Sequence, residues 1–186
     1  MEVVELETDR LKLRKWKAED FDPFARMSAD PEVMEYFPGV LDRKKSDALV
    51  NKTVELMQKR GWGLWAVEEL KTERFMGFVG LHKPTYDLPF TPCTEIGWRL
   101  SRPYWGKGYA TEASKIALDF AFNTLHLNKV YSFTTVNNLR SRSVMERIGM
   151  TNTNENFEHP AIPVGHKLRE HVLYKITREM WNNLKA

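Results

Sequence analysis

The chain is poor in the features that mark several large protein classes. Cys93 is its only cysteine, which excludes an intrachain disulfide and a cysteine-rich zinc site. No apolar run approaches the roughly 20 residues that a membrane helix needs, so we expect no membrane span. The opening stretch from Met1 to Glu5 is acidic and has no apolar segment of signal-peptide length. These absences predict a cytoplasmic protein.

A strong charge of one sign is also missing. The 186 residues carry a formal net charge of +3, and no basic stripe of the kind that binds nucleic acid is present. The mild excess suits an anionic small ligand, and we expect no direct nucleic-acid partner. His159 and His166 match no spacing typical of metal ligands, so no metal site is predicted.

The chain has no internal repeat, low-complexity segment or linker, and 42% of it is hydrophobic. We therefore predict one domain over residues 1–186. Hydrophobic periodicity predicts a mixed α/β (α+β) fold in which helices flank a mostly antiparallel sheet of about seven strands. The predicted helices cover 20–27, 42–59, 107–125 and 138–148, and the predicted strands cover 11–16, 64–70, 74–83, 94–101, 129–136, 152–157 and 168–177.

A glycine-rich turn joins the strand at 94–101 to the helix that follows. Gly106 and Gly108 allow unusual backbone dihedrals and close approach of a ligand, and the helix start offers unpaired N–H groups. The pattern favours an anion site of the kind that holds a pyrophosphate. A P-loop is excluded because Gly108 follows Lys107, and a Rossmann fingerprint is excluded because Thr111 stands where its third glycine belongs.

The run from Trp105 to Ala110 resembles the coenzyme A loop of the GNAT acetyltransferases, with Trp105 in place of the usual Gln or Arg. The longer run Tyr-Trp-Gly-Lys-Gly-Tyr-Ala-Thr-Glu-Ala is similar to the branch that acetylates ribosomal-protein N-termini (RimJ/RimL type). Further segments that resemble that branch are distributed along nearly the whole chain: 7–14, 29–34, 138–141, 146–150 and 171–174.

This resemblance implies a GNAT fold and acetyl-CoA as cosubstrate, without a metal. Acetyl-CoA would lie in a V-shaped opening between the strand that ends at Leu100 and the strand that begins near Lys129. The residues that the resemblance assigns to coenzyme A binding are Trp98, Leu100, Arg102, Trp105, Gly106, Lys107, Gly108, Tyr109, Ala110, Thr111, Asn138 and Ser141.

Three residues are predicted to act in catalysis. Glu95 would take a proton from the amine, the alternative being a solvated carboxylate on a strand face. The resemblance gives the backbone of Leu100 the role of polarising the acetyl carbonyl, although an ordinary core leucine explains the same residue. Many GNAT enzymes carry a tyrosine acid where this chain has Met145. Ser141 is therefore predicted to relay a proton to the thiolate, and a helix cap is its alternative.

The predicted partners are acetyl-CoA and an amine acceptor, either a small molecule or a protein N-terminus, in a monomer or homodimer. Direct attack of the amine is expected because Cys93 lies at the far end of the strand from Leu100. Aromatic residues suggest an acceptor pocket but equally suit a core: Trp62, Trp65, Phe90, Phe157 and the turn 35–37. Two other functions stay open. One is a coenzyme A sensor or scaffold with weak turnover, and the other is an RNA- or ribosome-associated protein.

Overall fold

The computed structural model describes residues 1–185. Its five α-helices, within that range, are α1 (Phe21–Ser28), α2 (Arg43–Arg60), α3 (Tyr109–Asp119), α4 (Leu139–Arg147) and α5 (Arg178–Lys185). The strands of the same range are β1 (Leu6–Glu7), β2 (Leu11–Arg14), β3 (Leu64–Glu69), β4 (Arg74–His82), β5 (Glu95–Leu100), β6 (Lys129–Thr135), β7 (Thr151–Asn152), β8 (Phe157–Glu158) and β9 (Glu170–Thr177).

The nine described strands form one sheet in the order β1-β2-β3-β4-β5-β6-β9-β7, and β8 also pairs with β9. All neighbours are antiparallel except β5 and β6, which run parallel. A parallel pair needs a crossover, and α3 supplies it between these two strands. The predicted mixed, mostly antiparallel sheet is therefore confirmed.

Strand alternation divides the core between the two faces of the sheet. Val79 of β4 points to the face where Ala113 and Ala117 of α3 pack, and small side chains there allow close approach. Phe78, its neighbour in the strand, belongs to the opposite face, where its ring lies 6.1 Å from that of Phe24 in α1. The α3 side and the α1 side are thus different environments, each reached by alternate residues of β5.

Residues that favour helix ends set several boundaries where the sequence predicts them. The Asp42 Oδ1 atom accepts a hydrogen bond from Lys45 N at 2.8 Å and starts α2. Gly61 ends that helix at a φ of 78°. None of the helices within residues 1–185 is long and apolar enough to cross a bilayer.

The structure also corrects four details of the predicted elements. The helix predicted from 107 begins at Tyr109, because Gly108 has a φ of 81°, and it continues beyond Asp119 as a π-helix over Phe120–Thr124. The strand predicted at 152–157 is two short strands, since Asn154 has a φ of 59°. β1 has only two residues, too few to show alternation. α5 directly follows β9 and was not predicted.

Candidate active site

The parallel strands β5 and β6 pair near their N-terminal ends and then separate. Within the described chain they are paired only at Glu95, opposite Tyr131, and the Ser132 hydroxyl donates to Ile96 O at 2.9 Å just beyond. Toward Leu100 the two strands are no longer paired. The structure thus contains the predicted opening, with its closed end beside Glu95.

The backbone of β5 offers hydrogen-bond donors to this opening. Ser101 N donates to Met76 O of β4 at 2.9 Å. Because alternate residues of a strand bond to the same neighbour, Arg99 is also directed to β4, while the N–H groups of Trp98 and Leu100 face the gap. Split strands with unpaired donors fit an extended ligand that carries amide groups, as the pantetheine arm does.

Leu100 is anchored by its carbonyl group. The Trp105 Nε1 atom donates to Leu100 O at 2.7 Å, and the Leu100 side chain is 5% exposed in the core. Trp105 in turn lies beneath Arg140 of α4, whose guanidinium carbon is 4.5 Å from the ring centroid. The residue that departs from the usual coenzyme A loop pattern therefore links the two sides of the opening.

The glycine turn follows Trp105 and has the backbone that anion binding needs. Gly106 and Gly108 have φ values of 72° and 81°, which L side chains rarely adopt. A Cβ at Gly106 would meet no heavy atom within 4 Å, so the turn is open on that side. Tyr109, Ala110 and Thr111 form the first turn of α3, where backbone N–H groups have no partner inside the helix.

A network behind this turn holds it in place. Arg10 donates from Nη1 to Lys107 O at 3.1 Å and from Nε to Glu112 Oε2 at 2.7 Å. Its guanidinium carbon is 4.4 Å from the Tyr109 ring, and the Tyr109 hydroxyl donates to Glu69 at 2.7 Å. No role is predicted for Arg10 or Glu112 from the sequence. Both residues lie in segments that resemble the GNAT branch, and this was the only signal that could have identified them.

Arg102, which is predicted to bind coenzyme A, pairs with two carboxylates of the protein. Its guanidinium Nε lies 3.3 Å from Asp30 Oδ2, and Nη1 is bonded to Glu32. These carboxylates raise the pKa of Arg102, chiefly through the hydrogen bond to Glu32. Its charge is thus compensated within the protein, which weakens the expectation that Arg102 serves the pyrophosphate.

Glu95 lies at the closed end of the opening, opposite Tyr131 on one side and His82 on the other. Its side chain is partly buried, and loss of hydration raises the pKa of its carboxyl group to about 8. It is therefore not the freely solvated carboxylate of the alternative interpretation. A carboxyl group that titrates near neutral pH is suited to accept a proton from an amine.

Cys93 lies two residues before Glu95, near the closed end of the opening. Burial raises the pKa of its thiol to about 11, and the negative charge of Glu95 contributes. A thiol that stays protonated at neutral pH is a poor nucleophile. Chemistry, more than distance, argues against its use as a covalent relay.

The other wall of the opening is the start of α4. Asn138 Oδ1 accepts from Ser141 N at 3.2 Å, and Asn138 Nδ2 donates to Thr134 Oγ1 at 2.9 Å and to Ser141 Oγ at 3.2 Å. These bonds form a helix cap, as the alternative interpretation holds. Met145, one turn further along, is 1% exposed in the core. It is a packing residue and carries no donor.

The predicted aromatic residues Trp65, Phe90 and Phe157 pack in hydrophobic clusters of the core. Trp65 is fully buried, so it does not line a pocket. Phe90 and Phe157 belong to an aromatic cluster with Phe133, their ring centroids 5.1 Å apart. His159 lies against His171 in the same cluster, at 5.0 Å between ring centroids. No group of three or more potential metal ligands occurs within residues 1–185.

Known proteins resemble this chain in sequence and in fold. The model of a family described as the acetyltransferase (GNAT) domain matches residues 10–151. The uncharacterized protein YkkB of Bacillus subtilis is 33% identical over 146 residues, 78% of this chain and 84% of that protein. The FsC-acetyl coenzyme A-N(2)-transacetylase of Aspergillus fumigatus is 31% identical over 183 residues, 95% of this chain and 77% of that protein.

A solved acetyltransferase of the GNAT family from Bacillus anthracis has a TM-score of 0.79 and is 28% identical, covering 95% of this chain and 99% of that one. The family model spans well over half of the chain, and the matched segment contains both Glu95 and the glycine turn. The chain therefore belongs to the GNAT family and is an acetyl-CoA-dependent N-acetyltransferase.

Proposed function

We propose that this enzyme transfers the acetyl group directly to a primary amine that enters from the α1 side of the sheet, with Glu95 as the proton acceptor. The observation that carries the proposal is the parting of β5 and β6 immediately beyond Glu95. A thioester in that gap has backbone donors along one side and a carboxyl group of raised pKa at its end. Both partners are then held together without a covalent intermediate.

The binding role falls to the backbone of the turn and of β5. The residues from Gly106 to Thr111 hold the pyrophosphate of acetyl-CoA through their N–H groups, and the network around Arg10 fixes that loop beforehand. The N–H groups of Trp98 and Leu100 orient the pantetheine arm and the acetyl carbonyl. At about 3.3 Å per residue, Trp98 lies nearer to Glu95 than Leu100 does. We therefore propose that the backbone of Trp98 polarises the carbonyl, in place of Leu100, to which the resemblance gave that role.

The chemical step moves one acetyl group and two protons. The amine nitrogen bonds to the carbonyl carbon, the carbon–sulfur bond breaks, and the electron pair leaves on sulfur. Glu95 accepts the proton that the nitrogen loses, directly or through water. A second proton transfer, from the hydroxyl of Ser141 and replaced from solvent, neutralises the thiolate.

The relay at Ser141 predicts a moderate kinetic effect. Ser141→Ala removes the hydroxyl, and because solvent can replace a relay we expect kcat to fall only about threefold to tenfold. Ser143→Ala, two residues along the same helix, is the matched control and should leave kcat unchanged. Initial rates and thermal melting on both variants check this. A lower melting temperature with kcat intact would identify Ser141 as a helix cap only.

The acceptor is the part of the proposal that an assay must define. Purified protein is incubated with acetyl-CoA and a panel of small primary amines and short peptides with free N-termini, and acetylated products are identified by mass spectrometry. We expect one N-acetylated product per coenzyme A released, with intersecting initial-rate lines when both substrates are varied. Coenzyme A binding without any amine-dependent turnover would instead support a sensor or scaffold.

A further inference from the structure

Arg99 of β5 is a buried cation whose hydrogen-bonding capacity is unused. The residue is 9% exposed, and its Nε and Nη1 atoms are buried without a hydrogen-bond partner among residues 1–185. Burial lowers the pKa of its guanidinium to about 10, and no carboxylate acts against that shift. An unpaired buried charge is costly, so its presence calls for an explanation.

Arg14 is a second buried arginine in this protein, and carboxylates neutralise its charge. Its guanidinium is bonded to Asp20 Oδ2 at 2.7 Å and to Glu68 Oε2 at 2.6 Å. Although burial acts to lower the pKa of Arg14, its bonds to Asp20 and Glu68 leave that pKa raised. Arg99 is buried to a similar degree and has aromatic neighbours in place of these carboxylates.

The segment 30–37 packs against Arg99 through Phe37, and its carboxylates pair with other arginines. Glu35 is bonded to Arg140 at 2.6 Å, and Asp30 pairs with Arg102. The same segment gives Arg99 the ring of Phe37, whose centroid is 4.2 Å from the guanidinium carbon. Exposed arginines are therefore neutralised here, while the buried one is left with its charge free.

Three aromatic rings surround the guanidinium of Arg99 and leave its Nε and Nη1 atoms without a hydrogen-bond partner among residues 1–185. The rings of Phe37, Phe78 and Phe24 lie 4.2, 5.5 and 6.0 Å from its central carbon, and the face of an aromatic ring attracts a cation. Carboxylates bind guanidinium in its plane, through two parallel N–H bonds. The rings therefore hold Arg99 in place without using the N–H donors that a carboxylate needs.

Arg99 shares one face of β5 with the proposed base. Glu95, Gly97 and Arg99 are alternate residues, and alternation directs them to the α1 side of the sheet. Between them the strand is open, because a Cβ at Gly97 would meet only Glu95 Oε1, at 3.9 Å. Glu95 and Arg99 lie about 13 Å apart along the strand at the usual rise per residue. A molecule lying over Gly97 can reach both.

We infer that Arg99 binds a carboxylate of the acceptor, and that this enzyme acetylates amines that carry a carboxylate in the same molecule. The inference rests on the proposed function, since it uses Glu95 to locate the reacting amine. It names the acceptor class that the proposed function leaves open.

The test compares each of three amino acids with an amine of matched length that lacks the carboxylate. 3-Aminopropanoate, 4-aminobutanoate and 6-aminohexanoate are assayed against propylamine, butylamine and hexylamine, and 2-aminoethyl phosphate distinguishes a phosphate from a carboxylate. Wild type, Arg99→Met, Arg99→Lys and the exposed-arginine control Arg43→Met are compared. Calorimetry with butanoate, in the presence of coenzyme A, measures carboxylate binding without turnover.

We expect at least one amino acid to have a kcat/KM at least tenfold above that of the matched amine without a carboxylate, in wild type and in Arg43→Met. Arg99→Met should abolish that preference and the binding of butanoate, and Arg99→Lys should keep part of both. The melting temperature of Arg99→Met should not fall below that of wild type, because methionine removes an unpaired buried charge. A preference for 2-aminoethyl phosphate over every amino acid would overturn the carboxylate assignment.

The two proposals fail in different ways. If amines are acetylated but Arg99→Met changes the kcat/KM of acceptors with and without a carboxylate equally, the anion site is wrong and the acetyltransfer stands. If butanoate binds through Arg99 and no amine is acetylated, the proposed function is wrong and the site stands. Wild type that neither binds butanoate nor prefers any amino acid overturns the inference.

Discussion

Gly108→Val is expected to abolish measurable binding of coenzyme A, with at least a 100-fold rise in Kd. Gly108 has a φ of 81° directly before α3, and a β-branched side chain strongly disfavours that conformation. Relaxing this φ would turn the N–H groups at the start of α3 away from the bound pyrophosphate. Its added Cβ would also lie 3.5 Å from Arg10 Nη2, beside the group that braces the loop. Isothermal titration with coenzyme A measures the effect.

Gly165→Val separates the lost site from backbone strain in general. Gly165 has a φ of 80°, and a Cβ there would meet nothing within 4 Å. The two substitutions therefore impose similar strain in different places. We expect Gly165→Val to keep wild-type affinity for coenzyme A. Equal loss of affinity in both variants, or unchanged affinity in Gly108→Val, would contradict the assignment of the pyrophosphate to this turn.

Glu95→Gln is expected to lower kcat at pH 8 by about 100-fold or more, the usual range for loss of a general base. Glutamine keeps the size of the side chain and its place at the end of the opening, but it does not accept the proton. The Kd for coenzyme A should stay within about twofold, because the predicted contacts of the cosubstrate are on the backbone. Steady-state rates and titration with coenzyme A give the two quantities.

Stability provides the control for this variant. The pKa of Glu95 is raised in the folded protein from an ordinary value of 4.5, so folding favours its protonated form. Its contribution to stability is present below pH 4.5 and is lost as the pH rises through 8. At pH 9 the glutamine variant should melt at or above the wild-type temperature. Glu179→Gln, exposed on α5, should keep both kcat and melting temperature. A Glu95→Gln protein that melts lower and keeps its kcat would contradict the base role.

Sequence alone predicted the elements that rest on local rules. Gly108 before an apolar helical pattern predicts the turn, and alternation from Glu95 to Leu100 predicts the strand that leads to it. Asn138 caps α4 as its residue type suggests. The two-residue strands β1, β7 and β8 are too short to show alternation, and the pairing of β7 and β8 depends on β9, further along the chain.

The candidate site was predicted less completely than the fold. The unpaired state of Arg99 depends on where the carboxylates of the segment 30–37 are directed, which no local pattern records. The bracing of Lys107 by Arg10 joins residues 97 apart in sequence. The raised pKa of Glu95 likewise reflects burial that its alternating polar neighbours did not indicate. These features arise only when distant elements pack together.

The pH dependence of kcat, measured in wild type and Glu95→Gln with the same acceptor, tests the central claim most directly. Protonated Glu95 does not accept a proton, so its contribution should grow as the pH rises toward its pKa of about 8. Titration of the amine is common to both proteins and cancels in the ratio of their kcat values. We predict that this ratio increases about tenfold per pH unit from pH 6 to 7.5 and levels off above pH 8.5. A ratio that is the same at every pH would contradict the account.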